Sequence, residues 1–532
     1  MQSALFNTIQ VHPFRFVLAL AAILFAAVLF FVPARFAEND DVLIMLLLSG
    51  GYSGQPESLT VFQNQLFAEA VAFAYTAWPD IPWYPAILLA TVCVSAAVFP
   101  VCFAREHGDI QWSGSLVVLV LMALAFHLVV QVQYTTIAGL AAAAGVYALL
   151  TARTGLGALP GAGLLVFAFM LRFEAAALAT AVLAPAFLLG LRERGHMASG
   201  LAILALALCA AVALEAASNQ RMSAKVPAYM EFNALRGKIN DNGLSALTAG
   251  ELPEGVSEND YRLFRRFFAD AGAFGQAELN AIQSQMDVNL RSLSLRDWIG
   301  AAADIGKNPI VAGALILPFL FGITSSRRLS LLVHYSVFAV VFLGLWSIEV
   351  TAILKNRVAL VALTASVTGL LFFASPSRGS AAGWLRIGAL SAALVFLGSG
   401  IPGRLKDNAD LRGFFSEQAS VFSDWTGKVI VYRAHLRVEG AELFSGDFEP
   451  LEGKALFAGW LVNHPANEGV FEGHVSLLDP GTALFYHPGY GEEVIEMILV
   501  SLQENHGVSA EPVVIAESRA GRLVKFVDRA GK

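Results

Sequence analysis

Asn39, Asp40 and Asp41 stand together in FFVPARFAENDDVLIMLLLSGGYSG (residues 30–54), directly after one apolar run and before another. A carboxylate in hydrocarbon costs about 2.5 to 3.5 kcal/mol, so acids beside a membrane span are kept in water or put to use. Neighbouring carboxylates in a partly dry cleft raise one another's pKa, as a general base requires, which makes Asp40 and Asp41 candidate catalytic groups. Arg172, Lys355 and Arg357 lie at the ends of apolar runs, and Arg236 and Lys238 lie in a polar stretch. Together these cations would suit a phosphate or pyrophosphate headgroup facing the acids. Each feature has a plainer alternative. The acids could be a solvated flank, and Arg172 beside Glu174 or Lys355 near Glu349 could be an ion-paired or snorkelling cation.

The elements that must position these residues are set by composition. Across 532 residues, 56% are hydrophobic and 14% charged, and the mean hydropathy is +0.61. This composition predicts a mainly α polytopic membrane protein. Runs of spanning character lie at about 14–34, 83–103, 114–130, 134–151, 174–191, 198–217, 309–324, 329–347, 358–374 and 384–400, with a shorter one at 160–171, giving about eleven crossings. The first is too long for a signal-peptide core and is read as a retained span. VFQNQLFAEAVAFAYTAW (61–78) carries Gln63, Asn64, Gln65 and Glu69 and suits an interfacial helix better.

That assignment decides the topology. With 61–78 on the surface and a cytoplasmic N-terminus, alternate loops hold Arg105, Arg153, Arg192 with Arg194, Arg327 with Arg328, and Arg378. Counting 61–78 as a span would move those arginines outside, against the positive-inside bias. The NDD segment, the QVQYTT turn, the LRFEAA break and the tail are therefore expected outside. Gln131, Gln133 and Tyr134 at the outer turn are candidate substrate contacts, with Asn39, Glu174 and Glu349 beside the acids and cations.

The predicted organisation is a membrane domain over 1–402, with interfacial helices in 42–78 and an external helical insert at 218–308. A soluble domain over 403–532 follows a SGIPGR linker. The tail mixes short β-rich runs (KVIVYRAHLRV, KALFAGWLV, PVVIAES, RLVKFVD) with one helical run, GEEVIEMILVSLQENHG, as an α/β or α+β domain would. Cys93, Cys102 and Cys209 fall in apolar runs and read as packing residues. Tail histidines His435, His464, His474 and His487 lack zinc-like pairing. There is no phosphate loop, HExxH or placed dinucleotide fingerprint, and a net charge of -7 argues against a nucleic-acid partner.

An N-terminal span followed at once by an acidic pair in the first external loop, then an interfacial stretch and many spans, resembles the GT-C superfamily of membrane glycosyltransferases. AYMEFNALRGKINDNG with VSENDYRLF also looks like the corresponding loop of a group of bacterial membrane proteins of this build. The resemblance covers the chain to about residue 400 and leaves the tail unmatched.

It implies a GT-C-like bundle in a bacterial inner membrane, with the soluble domain periplasmic and a polyprenyl-phosphate-linked sugar as donor. The acceptor would be a glycan, lipid or protein. Asp40, with Asp41 beside it, would act as base or position the acceptor, and Arg172, Lys355, Arg357 and Arg236 would take the donor phosphate, with inversion at the anomeric carbon. Some members use a divalent cation (Mg, Mn or Ca) at the acidic loop, and the sequence leaves a metal open. A lipid-linked glycan transporter or flippase, and a polysaccharide polymerase or ligase, are the alternatives. The clustering of ionisable residues at one surface and the early acidic pair favour the transferase.

Overall fold

The computed structural model describes residues 13–107, 112–194, 197–242, 244–266, 268, 274–324, 328–371, 381–421, 424–431, 436–444, 452–471 and 476–529. Arg327, Arg378, His435 and His474 lie outside them. The described residues open with α1 (Pro13–Phe31), β1 (Arg35–Phe36), α2 (Asn39–Ser49) and α3 (Gln65–Ala77). Then come α4 (Trp83–His107), α5 (Trp112–Val130), β2 (Gln131–Val132), α6 (Tyr134–Thr151), α7 (Gly155–Leu171), α8 (Phe173–Arg194) and α9 (Met197–Lys225). The polar insert forms α10 (Pro227–Asn240), α11 (Glu258–Arg265), α12 (Gln276–Arg291) and α13 (Leu295–Lys307). The membrane part ends with α14 (Pro309–Ile323), α15 (Arg328–Thr351), α16 (Asn356–Leu371) and α17 (Ala381–Ser420).

Each of the apolar runs read from the sequence falls on its own helix. Among the described residues, six helices are long and apolar enough to cross a membrane, and α13 with α14, bent by 89°, makes a seventh candidate. The remaining runs form the shorter apolar helices α1, α5, α7 and α16. The chain is therefore a multi-pass membrane protein. The sharp bend has a local cause: Pro309 cannot continue α13, and Asn308 caps the new helix, its Oδ1 accepting from the Ile310 N–H at 2.9 Å.

The bundle is built around α6, in which every residue but Ala148 is buried. Small residues permit this. A Cβ at Gly145 would stand 2.9 Å from the Gly161 carbonyl oxygen, and one at Gly161 equally close to that of Gly145, so α6 and α7 meet backbone to backbone. Arg153 donates to the Arg105 carbonyl at 3.4 Å at the far end of α6, about 27 Å from Tyr134 along an eighteen-residue helix. At the Tyr134 end, β1 pairs in parallel with β2, placing Arg35 opposite Gln131 and Phe36 opposite Val132. This short ladder brings the first turn of α2 against the first turn of α6.

The linker expected at SGIPGR is instead helix, with Pro402 inside the 40-residue α17. Tertiary contacts carry the helix past the proline and glycines. His127 Nε2 bonds the Leu397 carbonyl at 2.8 Å, Arg404 donates to Gln131 at 2.6 Å, and Asn408 donates to the Pro33 and Val130 carbonyls at 3.1 Å. Beyond α17 lie β3 (Lys428–Val431), β4 (Ala455–Phe457), α18 (Ala466–Phe471), β5 (Thr482–Tyr486), α19 (Pro488–His506), β6 (Ala510–Glu517) and β7 (Arg522–Asp528). They form a sheet of order β4-β3-β5-β7-β6, parallel across its first three strands and antiparallel thereafter. Val494, Ile498 and Leu502 of α19 cover it by packing with Leu484, Val524 and Phe526.

Candidate active site

The adjacent acids occupy the first turn of α2, where the helix dipole favours negative charge. Successive helix positions are rotated by about 100°, so the two carboxyls leave the turn in different directions. Asp40 lines a cavity of about 1030 Å³, and its Oδ2 accepts from Arg357 Nη1 at 3.3 Å. The pair is largely shielded, with side-chain exposures of 21% for Asp40 and 15% for Arg357.

Asp41 is fully buried and is not part of the cavity wall. Its Oδ1 accepts from the Tyr134 N–H at 3.0 Å and from the Tyr84 hydroxyl at 3.4 Å, so it caps α6 from the side. Its Oδ2 has no partner among the described residues. Burial pushes its pKa well above the usual carboxylate range, overcoming the opposing effect of the Tyr134 hydrogen bond. Glu38, just before α2, lines the cavity, and burial raises its pKa too, against the pull of Arg357.

The cations named from the sequence converge from three separate parts of the chain. Arg357 comes from the start of α16 and Arg236 from α10; Arg172 joins α7 to α8, and Lys355 immediately precedes α16. Arg172 donates from Nε to Glu174 at 2.9 Å and from Nη1 to the Phe62 carbonyl at 3.1 Å. Its guanidinium carbon lies 5.5 Å from the Phe62 ring centre and 5.9 Å from that of Tyr134. Arg236 is buried and held by Asn233 Oδ1, at 3.0 Å from Nε and 2.8 Å from Nη2; burial lowers its pKa. Lys355 pairs with Asp241 at 3.0 Å, not with Glu349. Glu349 instead accepts from the Leu354 N–H at 3.2 Å and lies outside the cavity wall, because the chain turns back after α15.

Asn39, Tyr134 and Glu174 also line the cavity. Gln131 and Gln133 do not. Gln131 accepts from Arg404, and Gln133 is a buried N-cap of α6, accepting from the Thr136 N–H at 2.8 Å. The sequence reading passed over Glu38, Asn240, Asp241, Arg265 and Trp460, all in the wall. Glu38 adjoins the acids and Asp241 lies in the quoted KINDNG stretch, so adjacency offered a signal for both. Nothing in KALFAGWLV singled out Trp460.

Trp460 reaches the site because the tail packs onto it. Its carbonyl accepts from the Tyr229 hydroxyl at 2.7 Å, and its ring meets Phe62 edge-on at 5.1 Å. His464, four residues later, bonds the Leu59 carbonyl at 2.8 Å. The cavity is thus closed by three parts of the chain: the bundle, the insert and the tail.

Among the described residues, the wall carries the cations Arg172, Arg236, Arg265, Lys355 and Arg357 against the carboxylates Glu38, Asp40, Glu174 and Asp241. No group of three His, Cys, Asp or Glu side chains that could hold a metal occurs among them, and Arg357 already engages Asp40. This donor set fits an anion better than a divalent cation.

Fold and site define a multi-pass membrane protein with a shielded acid–arginine pair in a cationic cavity at one end of its bundle. No family model matches the chain, and no curated protein matches it significantly. Among solved structures it is similar to ArnT from Cupriavidus metallidurans bound to undecaprenyl phosphate, at 12% identity and a TM-score of 0.40 over 96% of this chain and 97% of that one. It is similar also to the apo state of that protein, at 11% identity and a TM-score of 0.39 over 96% of each chain.

Proposed function

We propose that this protein is a GT-C-type glycosyltransferase that moves a sugar from a polyprenyl-phosphate donor to a glycan, lipid or protein acceptor at the outer face of a bacterial inner membrane. The tail would be periplasmic and the N-terminus cytoplasmic. The observation that carries this reading is the Asp40–Arg357 pair at 3.3 Å inside a cavity whose other cations come from four further positions. A carboxylate alone could serve many hydrolytic or binding roles. Beside clustered cations at the end of a lipid-embedded bundle, it suits transfer with a phosphate leaving group.

In the proposed reaction Asp40 takes the proton of an acceptor hydroxyl as that oxygen bonds to the anomeric carbon. The bond from the anomeric carbon to phosphate oxygen breaks, and its electron pair leaves with polyprenyl phosphate. Single displacement inverts the anomeric centre. A phosphate leaving group needs charge neutralisation more than protonation. Arg357 can supply it without releasing Asp40, since a guanidinium has five N–H donors and the bond to Asp40 uses one. Arg172, Arg236 and Lys355 extend the same anion site. Asp41 contributes by fixing the start of α6 against α2.

The test is incubation of the purified protein in nanodiscs with synthetic undecaprenyl-phosphate sugars, following release of undecaprenyl phosphate and transfer to glycoside acceptors. Transfer that disappears in Asp40→Asn at unchanged protein abundance is the expected result. Near-normal transfer by that variant would overturn the assignment of Asp40.

A further inference from the structure

Asn240 and Trp460 line the same cavity, and each carries buried polar atoms that nothing among the described residues uses. Asn240, the last residue of α10, is 4% exposed, and both its Oδ1 and Nδ2 are buried without a hydrogen-bond partner. Trp460 is 5% exposed and its Nε1 is in the same condition. Both residues are fixed by their surroundings. The Asp241 carbonyl accepts from the Ile353 N–H at 3.0 Å while its side chain holds Lys355, which pins the end of α10. Tyr229 holds the Trp460 carbonyl. Buried polar groups are nearly always paired, and two unpaired ones bordering one cavity mark where a ligand would supply the partners.

Their chemistry narrows the ligand. The Asn240 carbonyl oxygen needs a donor, which an ionised phosphodiester does not have and a hydroxyl does. The amide can accept from one hydroxyl and donate to its neighbour, while an indole offers an apolar edge and one N–H donor. A ring with adjacent hydroxyls and C–H faces satisfies both. The bland alternative is two packing residues, yet the Asn240 amide makes no hydrogen bond that packing would require.

We infer that Asn240 of the insert and Trp460 of the tail form a sugar-ring subsite, separate from the phosphate-binding cations, that reads the hydroxyls of the carbohydrate in the cavity. This rests on the transferase reading above and adds to it the residues that choose the sugar. It also gives the tail a direct part in specificity, because one of the two contacts comes from it.

The experiment measures affinity in nanodiscs for three probes. These are bare undecaprenyl phosphate, the same lipid phosphate carrying glucose, galactose, mannose or arabinose, and the corresponding methyl glycosides without lipid. For wild type, the sugar is expected to strengthen binding over the bare lipid phosphate for at least one of the panel. Asn240→Ala should lose on the order of tenfold for that sugar-bearing probe and leave bare undecaprenyl phosphate unchanged. Trp460→Phe, which keeps an aromatic ring against Phe62 and removes the N–H, should lose a few-fold and covers the case of a poorly folded Asn240 variant. A loss confined to the lipid-linked sugars assigns the subsite to the donor, and one confined to the methyl glycosides assigns it to the acceptor. Sugar-dependent binding that neither variant alters would overturn the subsite, as would a wild type that prefers none of the sugars. Failure of wild type to bind bare undecaprenyl phosphate would instead sink the transferase reading itself.

Discussion

The two sides of one helical turn hold adjacent acids in opposite surroundings. On the cavity side of α2, Asp40 meets a guanidinium and open space. On the buried side, Asp41 meets a backbone N–H and a tyrosine hydroxyl, with no cation in contact among the described residues. Residues adjacent in sequence are separated by the helical rotation, which turns one acid to the cavity and its neighbour into the packed interior; in the proposed reaction the first is the base and the second a structural cap. The largest expected effects break or uphold this division. Asp40→Asn should lower sugar transfer by about 10²- to 10⁴-fold, the range of a general base. Asp41→Asn should stay within about tenfold of wild type, because an amide oxygen still accepts from Tyr134 and adds no charge to a dry site. The opposite ranking in the same transfer assay would exchange the two roles.

Within the cavity side, a second difference separates the cations. Arg357 is mostly shielded and faces an equally shielded partner. Lys355 and Asp241 have side-chain exposures of 36% and 40%. Removing one member of a shielded pair strands the other, a cost of about 2 to 5 kcal/mol where such pairs have been cut, whereas an exposed pair contributes about 0 to 1 kcal/mol. Arg357→Ala should therefore weaken undecaprenyl phosphate binding and raise the donor KM by about 30-fold or more. Lys355→Ala should change either by about fivefold at most. Titration of both variants with the lipid in nanodiscs checks the order, and similar losses would mean that local shielding does not grade the anion site.

On the buried side the reading is structural, so its signature is stability. Asp41→Ala leaves the Tyr134 N–H and Tyr84 hydroxyl without their carboxyl partner and should cost about 1 to 3 kcal/mol. Asp41→Asn should cost less, and thermal melts of the two variants in the same detergent give the comparison. A melt for Asp41→Ala equal to that of wild type would remove the capping role.

The bundle was largely legible because apolar length is a strong signal: every spanning run became a helix. The cations at 172, 355 and 357 were legible because charge beside an apolar run is conspicuous, and with Arg236 of the polar insert they do meet Asp40 in one cavity. What the sequence hid depends on tertiary placement. Hydropathy cannot say which face of α2 each acid takes, that Lys355 would choose Asp241 over Glu349, or that Gln133 would turn inward as a helix cap. The tail was harder still. TALFY is too short a run to stand out as β5, and Trp460 acquires its place from packing against Phe62 and Tyr229, hundreds of residues away.

The tail and the bundle also differ in what holds them to the cavity, and this leads to the smallest expected effect. The bundle end is held by helix packing and by ion pairs, while the Trp460 wall leans on a buried histidine. His464 is 2% exposed, its Nε2 bonds the Leu59 carbonyl at 2.8 Å, and its Nδ1 accepts from the Ala466 N–H at 3.1 Å. Those two contacts fit the neutral ring with its proton on Nε2. Burial pulls its pKa from 6.5 to about 4, against the opposing effect of the Leu59 hydrogen bond. Between these values the unfolded chain binds the extra proton and the folded one does not. The neutral ring's contribution is thus intact above 6.5 and lost progressively as pH falls towards 4. His464→Gln should melt a little lower at neutral pH and show a shallower decline down to about pH 4 than wild type. Parallel curves would mean that acid loss arises elsewhere and that the tail holds the cavity wall without this residue. A wild-type transfer rate that falls along the same acid limb, and a flatter one in His464→Gln, would tie the packing of the tail to the chemistry at Asp40.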